Sequence, residues 1–204
     1  MSVEELLKKR KQIKLYNVNE APNKSLVESL IDKAFLLTPS KQSLMPYKIH
    51  ILGPECVEYK KKFFELSKTK KGGDQNYNIK APYVLIFTRR LVTNPNDAVK
   101  RKLALGHTYG VCDPKEYKKL DKDVGIEIGM FSKVLTVLCL EKNIDVSYLL
   151  CFPPYDKDER WKEFDFIKDD VLFSMQLGFK SRLFDYDTHI EEKKPEKNEV
   201  ITWV

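Results

Sequence analysis

The stretch that most constrains this chain runs from Val124 to Lys142, VGIEIGMFSKVLTVLCLEK. At 100° per residue, its apolar side chains, from Ile126 and Ile128 through Phe131 and Leu135 to Leu140, point in almost every direction. A surface helix shows one apolar stripe, so this one must be buried on several sides. It is either the central helix of a domain or a helix whose second face is covered by another subunit. Just upstream, Asp113-Pro114-Lys115-Glu116 reads as its start: an N-cap Asp, a Pro at the first helical position and a Glu at N3.

With 204 residues, 42% of them hydrophobic, the expectation is a single domain over residues 1–204 with a mixed architecture and a sizeable core. The net charge of +6 favours anionic ligands, but the 36 Lys and Arg are interleaved with 30 Asp and Glu. A phosphate-bearing cofactor satisfies that balance as easily as nucleic acid. The basic segments carry no interleaved aromatics, so no nucleic-acid partner is expected. Cys56, Cys112, Cys139 and Cys151 are widely spaced, with no CxxC pair and only three histidines to complete a metal site. They read as reduced thiols of a cytoplasmic protein, and no metal is expected. The N-terminus lacks a signal-peptide core, and no apolar run approaches the ~20 residues needed to span a bilayer, which predicts a soluble chain with no membrane partner.

In chain order, Val3, Leu6 and Leu7 mark a short helix that runs into the basic segment Lys8 to Lys14. Leu26, Val27, Leu30, Ile31, Ala34 and Phe35 recur at helical spacing after Asn23, a good N-cap, and that helix stops before Thr38-Pro39. Pro39 to Pro46 is a polar loop. Tyr47 to Leu52 alternates as a strand with Lys48 and His50 on its exposed face, and Glu55 to Ser67 reads as a helix. Lys68 to Asn78, with Gly72-Gly73, is a connection. Tyr83 to Phe87 is a continuous apolar run of the kind buried on both faces, hence a central strand. Periodicity weakens from Asn94 to Val111, which reads as a loop or lid. Asn143 is a plausible C-cap, Asp145 to Phe152 and Val171 to Phe179 read as buried strands, and Val200 to Val204 as a strand pairing with a distant edge on its own or a neighbouring subunit. The sequence has no GxGxxG, P-loop, GxSxG or HExxH, which removes the enzyme classes that announce themselves by those motifs.

Six short segments follow one family's order. Arg10-Lys11-Gln12-Ile13-Lys14-Leu15-Tyr16 is similar to an N-terminal R-R/H-S-x-R/K-x-F/Y signature. Pro39 to Tyr47 is similar to P-S-S-x-N-x-Q-P-W, and Gln75-Asn76 ahead of Ala81-Pro82 to an N-Q segment upstream of A-P. Asn143-Ile144-Asp145 stands in the place of a Gly-Leu turn, leading to Leu150-Cys151-Phe152. Leu177-Gly178-Phe179 is similar to I-G-Y/F, and Lys193-Lys194-Pro195 with Glu199 to Trp203 to R-K-P-x-x-E-V-x-x-W. In this order and spacing the chain resembles the nitroreductase family of FMN-dependent oxidoreductases.

That resemblance implies an α+β sandwich, with a mixed or antiparallel central sheet flanked by helices, in a domain-swapped homodimer whose C-terminal strands exchange. It implies FMN at the subunit interface, with NADH or NADPH as reductant. Arg10, Lys11, Lys193 and Lys194 would gather around the phosphate, Gln12 would meet a phosphate or ribityl oxygen, and Gln75 or Asn76 the pyrimidine edge. Lys14 would act catalytically, its charge near flavin N1 and the C2 carbonyl stabilising the reduced ring. Pro39, Ser40, Lys41 and Ser43 would reach the flavin from the other subunit, with Leu150 and the Cys151 amide beside N5. The chain departs from the pattern where Ser43 replaces Asn, Met45 replaces Gln, Tyr47 replaces Trp, and Leu150-Cys151 replaces the Glu-Gly of one branch. The expected activity is ping-pong electron transfer from NAD(P)H to an electron-poor acceptor such as a nitroaromatic or quinone. The alternative is a non-enzymatic flavin-binding or dimeric scaffold protein of the same fold.

Overall fold

The structure is a computed structural model that describes residues 2–68, 76–183 and 195–201. In chain order its elements are α1 (Val3–Lys9), α2 (Lys24–Leu37), β1 (Tyr47–Leu52), α3 (Val57–Leu66), β2 (Tyr83–Arg89), α4 (Asp97–Ala104), α5 (Asp121–Glu141), β3 (Asp145–Leu149), β4 (Val171–Gly178) and α6 (Lys197–Val200). Every residue of β2 is buried, as its unbroken apolar run requires, and the strand is central in a sheet of order β1-β2-β4-β3. All three pairings are antiparallel: Tyr47 faces Arg89, Tyr83 faces Leu177, and Asp145 faces Gly178.

The two faces of the sheet bury separate cores. Against one face lie α2 and α5, where Val27, Leu30, Phe131, Leu135 and Cys139 pack on Tyr47, Leu85, Phe87, Met175 and Val146. Against the other lie α3 and the irregular segment 152–170, where Phe63, Trp161, Phe164 and Ile167 pack on Leu52, Val84, Ile86 and Val171. This is the α+β sandwich expected, with a sheet that is antiparallel among the described residues. Helix α2 begins at Asn23, whose side chain accepts the Ser25 and Leu26 N–H groups. Phe35, expected on its packed face, is instead exposed, together with Leu36 and Leu37.

The central helix is 21 residues long and starts later than its local start signal. Asp113 caps a turn at Lys115 N, and a 3₁₀ turn at Tyr117–Lys119 intervenes before α5 opens at Asp121. The reason is tertiary. The buried Arg89 guanidinium donates to Asp121, to Asp169 at 2.6 Å and to Asp170 at 3.2 Å. Burial works against its charge, but the bond to Asp121 and the other two carboxylates outweigh it and raise the Arg89 pKa. This cluster ties the start of α5 to the end of β2. At the other end Asn143 adopts φ 56°, with Asn143 N donating to Leu140 O and Ile144 N to Cys139 O. That is a Schellman cap with Asn in the left-handed position.

Three further expectations are corrected. The segment Asn94 to Val111 holds α4, capped by Asn96, whose side chain accepts Val99 N–H. His50 is not on a solvent face: it is half-buried, 3.2 Å from Thr88 Oγ1 and tilted against the Phe166 ring. Val200 ends the short helix α6, where a strand was expected, and residues 202–204 of that segment lie outside the described residues.

Candidate functional site

The basic segment after α1 is strapped across the ends of β3 and β4. Ile13 and Tyr16 are buried with Ala81. Tyr16 bridges Lys180, Ser181 N donates to Leu15 O, and Asn17 N donates to Phe179 O. Tyr16 Oη lies 3.0 Å from both Ser147 Oγ and the Gln176 carbonyl, and Gln176 Oε1 in turn accepts from Ser147 and Asn78. Gly178 makes this close approach possible: a Cβ there would sit 2.6 Å from Pro82 Cδ and 2.9 Å from Tyr16 Cδ1.

Gln12 Nε2 donates to Tyr148 O at 2.8 Å, which brings the signature segment to the end of β3. Burial raises the Tyr148 pKa, and its bond with Thr136 and the nearby Arg10 guanidinium partly oppose that. Beyond Tyr148 and Leu149 the strand stops, earlier than the expected Phe152. Leu150 is 69% exposed and Cys151 is exposed, so Cys151 is not the buried strand-end residue its spacing suggested. Lys14 is exposed on the strap, and Arg10 and Lys11 are half-buried. Arg10, Gln12, Leu150 and Cys151 therefore belong to one region.

The loop after α2 is a second region. Gln42, Ser43 and Met45 have φ of 56°, 55° and 45°, three left-handed residues without a glycine among them. Several tethers hold them there. Met45 N donates to Ser40 Oγ at 2.9 Å, Asn96 Nδ2 to Gln42 O at 2.7 Å, and Arg90 to the Leu44 and Met45 carbonyls. Lys41 N donates to Glu127 Oε1 at 3.1 Å. Non-glycine residues held in that conformation cluster at functional sites, because the surroundings must over-determine them. Burial, and after it the nearby Glu127 carboxylate, push the Tyr47 hydroxyl pKa up, with Arg90 opposing. Behind the loop a cavity of about 180 Å³ runs between Lys41, the Thr108–Val111 segment and Glu127.

These regions anchor to different stretches of α5, the loop at Glu127 and the β3 end at Thr136. Nine residues of helix separate them, roughly 14 Å at 1.5 Å per residue. One chain thus does not bring Pro39, Ser40, Lys41 and Ser43 together with Arg10 and Cys151 through these contacts. Asn76 Nδ2 donates to Ser67 O at 2.8 Å, while Gln75, Lys193 and Lys194 lie outside the described residues. Sequence reasoning missed Glu127, Arg90, Asn96 and Tyr148. Only Glu127 left a signal: a carboxylate four residues before Phe131, in the register that the core face of α5 keeps apolar.

Sheet order, strap and tethered loop can be compared with known proteins. No family model matches this sequence, and no curated protein matches it either. Solved structures do. A Staphylococcus epidermidis protein assigned as an NAD(P)H:FMN oxidoreductase superposes with a TM-score of 0.75 at 16% identity, over 100% of this chain and 96% of its own. A protein of Exiguobacterium sibiricum assigned as a nitroreductase, in complex with FMN, gives 0.71 at 14% identity over 100% and 98%. A nitroreductase family protein of Streptococcus pneumoniae gives 0.63 at 16% identity over the whole of both chains. The chain has the nitroreductase fold. In this chain the strap on β3 and the left-handed loop after α2 each bring polar backbone and charged side chains together. Among the described residues no helix is long and apolar enough to cross a membrane.

Proposed function

We propose that this chain is an FMN-dependent oxidoreductase acting as a homodimer, taking electrons from NADH or NADPH and passing them to an electron-poor acceptor such as a nitroaromatic or quinone. The observation that carries this is the strap at the β3 end: Gln12 bonded to the Tyr148 carbonyl with Arg10 close by, next to an exposed apolar Leu150. The donor set fits the cofactor. Arg10 and Lys11 would supply cations for a phosphate carrying about two negative charges, and Lys193 and Lys194, outside the described residues, are proposed to join them. Gln12 keeps its Oε1 for a ribityl hydroxyl while Nε2 is held by Tyr148, and Leu150 offers an apolar shelf for a ring system. When bound, FMN supplies hydride uptake and release at N5 in two successive half-reactions.

The remaining roles belong to the chain's own side chains and backbone. Lys14 would hold the pyrimidine edge of the bound flavin and supply a positive charge there. Asn76, whose Oδ1 is left over when Nδ2 donates to Ser67 O, would help orient that edge, and Gln75, outside the described residues, is proposed to join it. The Cys151 amide would hold the ring at N5, a contact that does not depend on the side chain. Pro39, Ser40, Lys41 and Ser43 of a second copy close the site, which suits a loop already fixed in its strained shape.

Two features of α5 support the second copy. Ile126, Gly129, Met130, Lys133, Val137 and Leu140 form a stripe opposite the core face, and Ile126 is 54% exposed. The two interior glycines, Gly125 and Gly129, have nothing within 4 Å of an added Cβ. Each weakens the helix by about 1 kcal/mol relative to Ala, a cost with a purpose where another surface must approach closely.

Purified protein is expected to bind FMN, show flavin absorbance, and bleach anaerobically on adding NADH or NADPH. A yellow protein that neither nicotinamide bleaches would leave only flavin binding, and a protein that stays colourless in excess FMN would overturn the reading. Lys14→Ala is expected to lower the flavin potential more than it weakens binding, and Arg10→Ala the reverse. Equal effects in both variants would refute these roles.

A further inference from the structure

We propose that Gln176 is a positioning residue: it locks the N-terminal strap and the 3₁₀ turn Tyr77–Lys80 into one geometry, and so sets where Lys14 and Asn76 stand against the flavin's pyrimidine edge. The role of Lys14 and Asn76 at that edge rests on the proposed flavin reading. The coupling between the two segments does not.

Gln176 lies on β4 opposite Val84 of β2 and Ser147 of β3, and it is fully buried together with Ser147 and Ser174. Val84, with Ile86 and Leu149 opposite Ser174, belongs to the core on that face of the sheet, where a Gln is out of place by polarity. Its amide is held in one orientation by its partners. Oε1 accepts Ser147 Oγ at 2.9 Å and Asn78 Nδ2 at 3.2 Å, and Nε2 donates to Ser174 Oγ at 2.7 Å. Apolar side chains of the same shape in place of both partners would leave stability nearly unchanged. What such a network adds is direction, because each of its bonds is satisfied in one arrangement only.

The network has two arms. Through Ser147 it reaches Tyr16, whose Oη is 3.0 Å from Ser147 Oγ and from the Gln176 carbonyl, and Lys14 stands two residues before Tyr16. Through Asn78 it reaches the turn in which Ile79 N donates to Asn76 O and Ala81 N to Asn78 O, and Asn76 stands two residues before Asn78. Each group proposed for the pyrimidine edge is thus carried by one arm. Ile13 and Tyr16 also pack on Ala81, but apolar contact is non-directional and leaves the relative setting of the two segments open.

The test compares Gln176→Met with Tyr16→Phe and Asn78→Ala, which each cut one arm, and with Val84→Ala, a core truncation opposite Gln176 that leaves the bonds of the network in place. Amide hydrogen exchange in the FMN-free chain reads the coupling. Tyr16→Phe is expected to speed exchange at Ile79 and Ala81, and Asn78→Ala at Asn17 and Ser181, by roughly three- to tenfold beyond any change at mid-α5 amides, which report global opening. Gln176→Met should speed both sets, and adding Tyr16→Phe to it should leave Ile79 and Ala81 no faster. With FMN bound, Gln176→Met should weaken binding by about tenfold and lower the midpoint potential as the Lys14 charge shifts, whereas Val84→Ala should lower the urea midpoint and leave the potential unchanged. Exchange at the far arm that only tracks α5, the same pattern in Val84→Ala, or an unchanged potential in Gln176→Met would each overturn the proposal. A wild-type chain that binds no FMN removes the flavin role with the reading it rests on, and exchange still decides the coupling. If Gln176→Met does not fold, the two single-arm variants, read by exchange and by potential, decide it.

Discussion

Replacing Gly129 with Leu separates the isolated chain from the proposed dimer, because the two respond with opposite signs. In the single chain nothing lies within 4 Å of a Cβ at Gly129, so the larger side chain enters open space. The helix gains about 0.8 kcal/mol on losing an interior glycine. In a dimer that packs this stripe against its copy, the substitution adds a bulky side chain from each chain to one close approach. Overpacking costs typically ~1–3 kcal/mol per site, so about 2–6 kcal/mol per dimer. That weakens association by roughly thirty-fold to more than ten-thousand-fold. Sedimentation over a concentration series reads the association constant, and urea unfolding of the dissociated chain reads the intrinsic stability. The expected result is a Gly129→Leu protein that dissociates, loses FMN, and unfolds as a monomer at an unchanged or higher urea midpoint. An unchanged association constant, or a wild-type protein that is monomeric throughout, would refute the argument that this face is covered by a second copy.

Other perturbations follow from particular contacts. Burial, with Lys48 beside it, pushes His50 down to about 4 from an ordinary 6.5, so the folded chain binds this proton more weakly than the unfolded one. Its contribution is fully present above about pH 6.5 and is lost as pH falls towards 4; urea unfolding across that window should show wild type losing about 1–2 kcal/mol more than His50→Gln, after discounting for solvent. Asn143→Gly should leave stability within about 0.5 kcal/mol, while Asn143→Val, forced to φ near 56°, should cost about 1–2 kcal/mol by the same measurement. Gly178→Ala should cost about 1–3 kcal/mol, because its Cβ meets Pro82 and Tyr16, and should weaken FMN retention through the displaced strap.

Much of this architecture was legible because local and tertiary demands agree in it. Tyr83 to Phe87 has no polar residue to place in water, so it could only be central. Asn23 followed by Leu26, Val27, Leu30 and Ala34 specifies a capped, one-sided helix. The misses have identifiable causes. In α4 Val99 is the only buried residue, amid Lys100, Arg101 and Lys102, so its apolar period is too thin to read. The start of α5 is set by Arg89 gathering carboxylates from residues 121, 169 and 170, a convergence that no window of sequence contains. His50 alternates correctly within β1, but Phe166, more than a hundred residues later, covers it. Of the candidate site, the segment Arg10 to Tyr16 stood out by its order, and the structure places it against the ends of β3 and β4. The bonds from Gln12 to Tyr148 and from Lys41 to Glu127, which give those residues their places, are long-range.

The loop after α2 gives Glu127 a structural role on the largely apolar buried face of α5. Three non-glycine residues in the left-handed region cost about 1–2 kcal/mol each, so the 39–46 loop would relax unless its backbone groups were claimed from outside. Local bonds claim only part of it: Met45 N through Ser40, with Arg90 and Asn96 taking carbonyls. Lys41 N–H points back at α5, and an apolar residue at position 127 would leave that donor buried without a partner. A side chain long enough to reach it from the core face, and able to accept, is a Glu or a Gln. A Gln would satisfy Lys41 at lower desolvation cost, so the charge itself has no structural need in the loop.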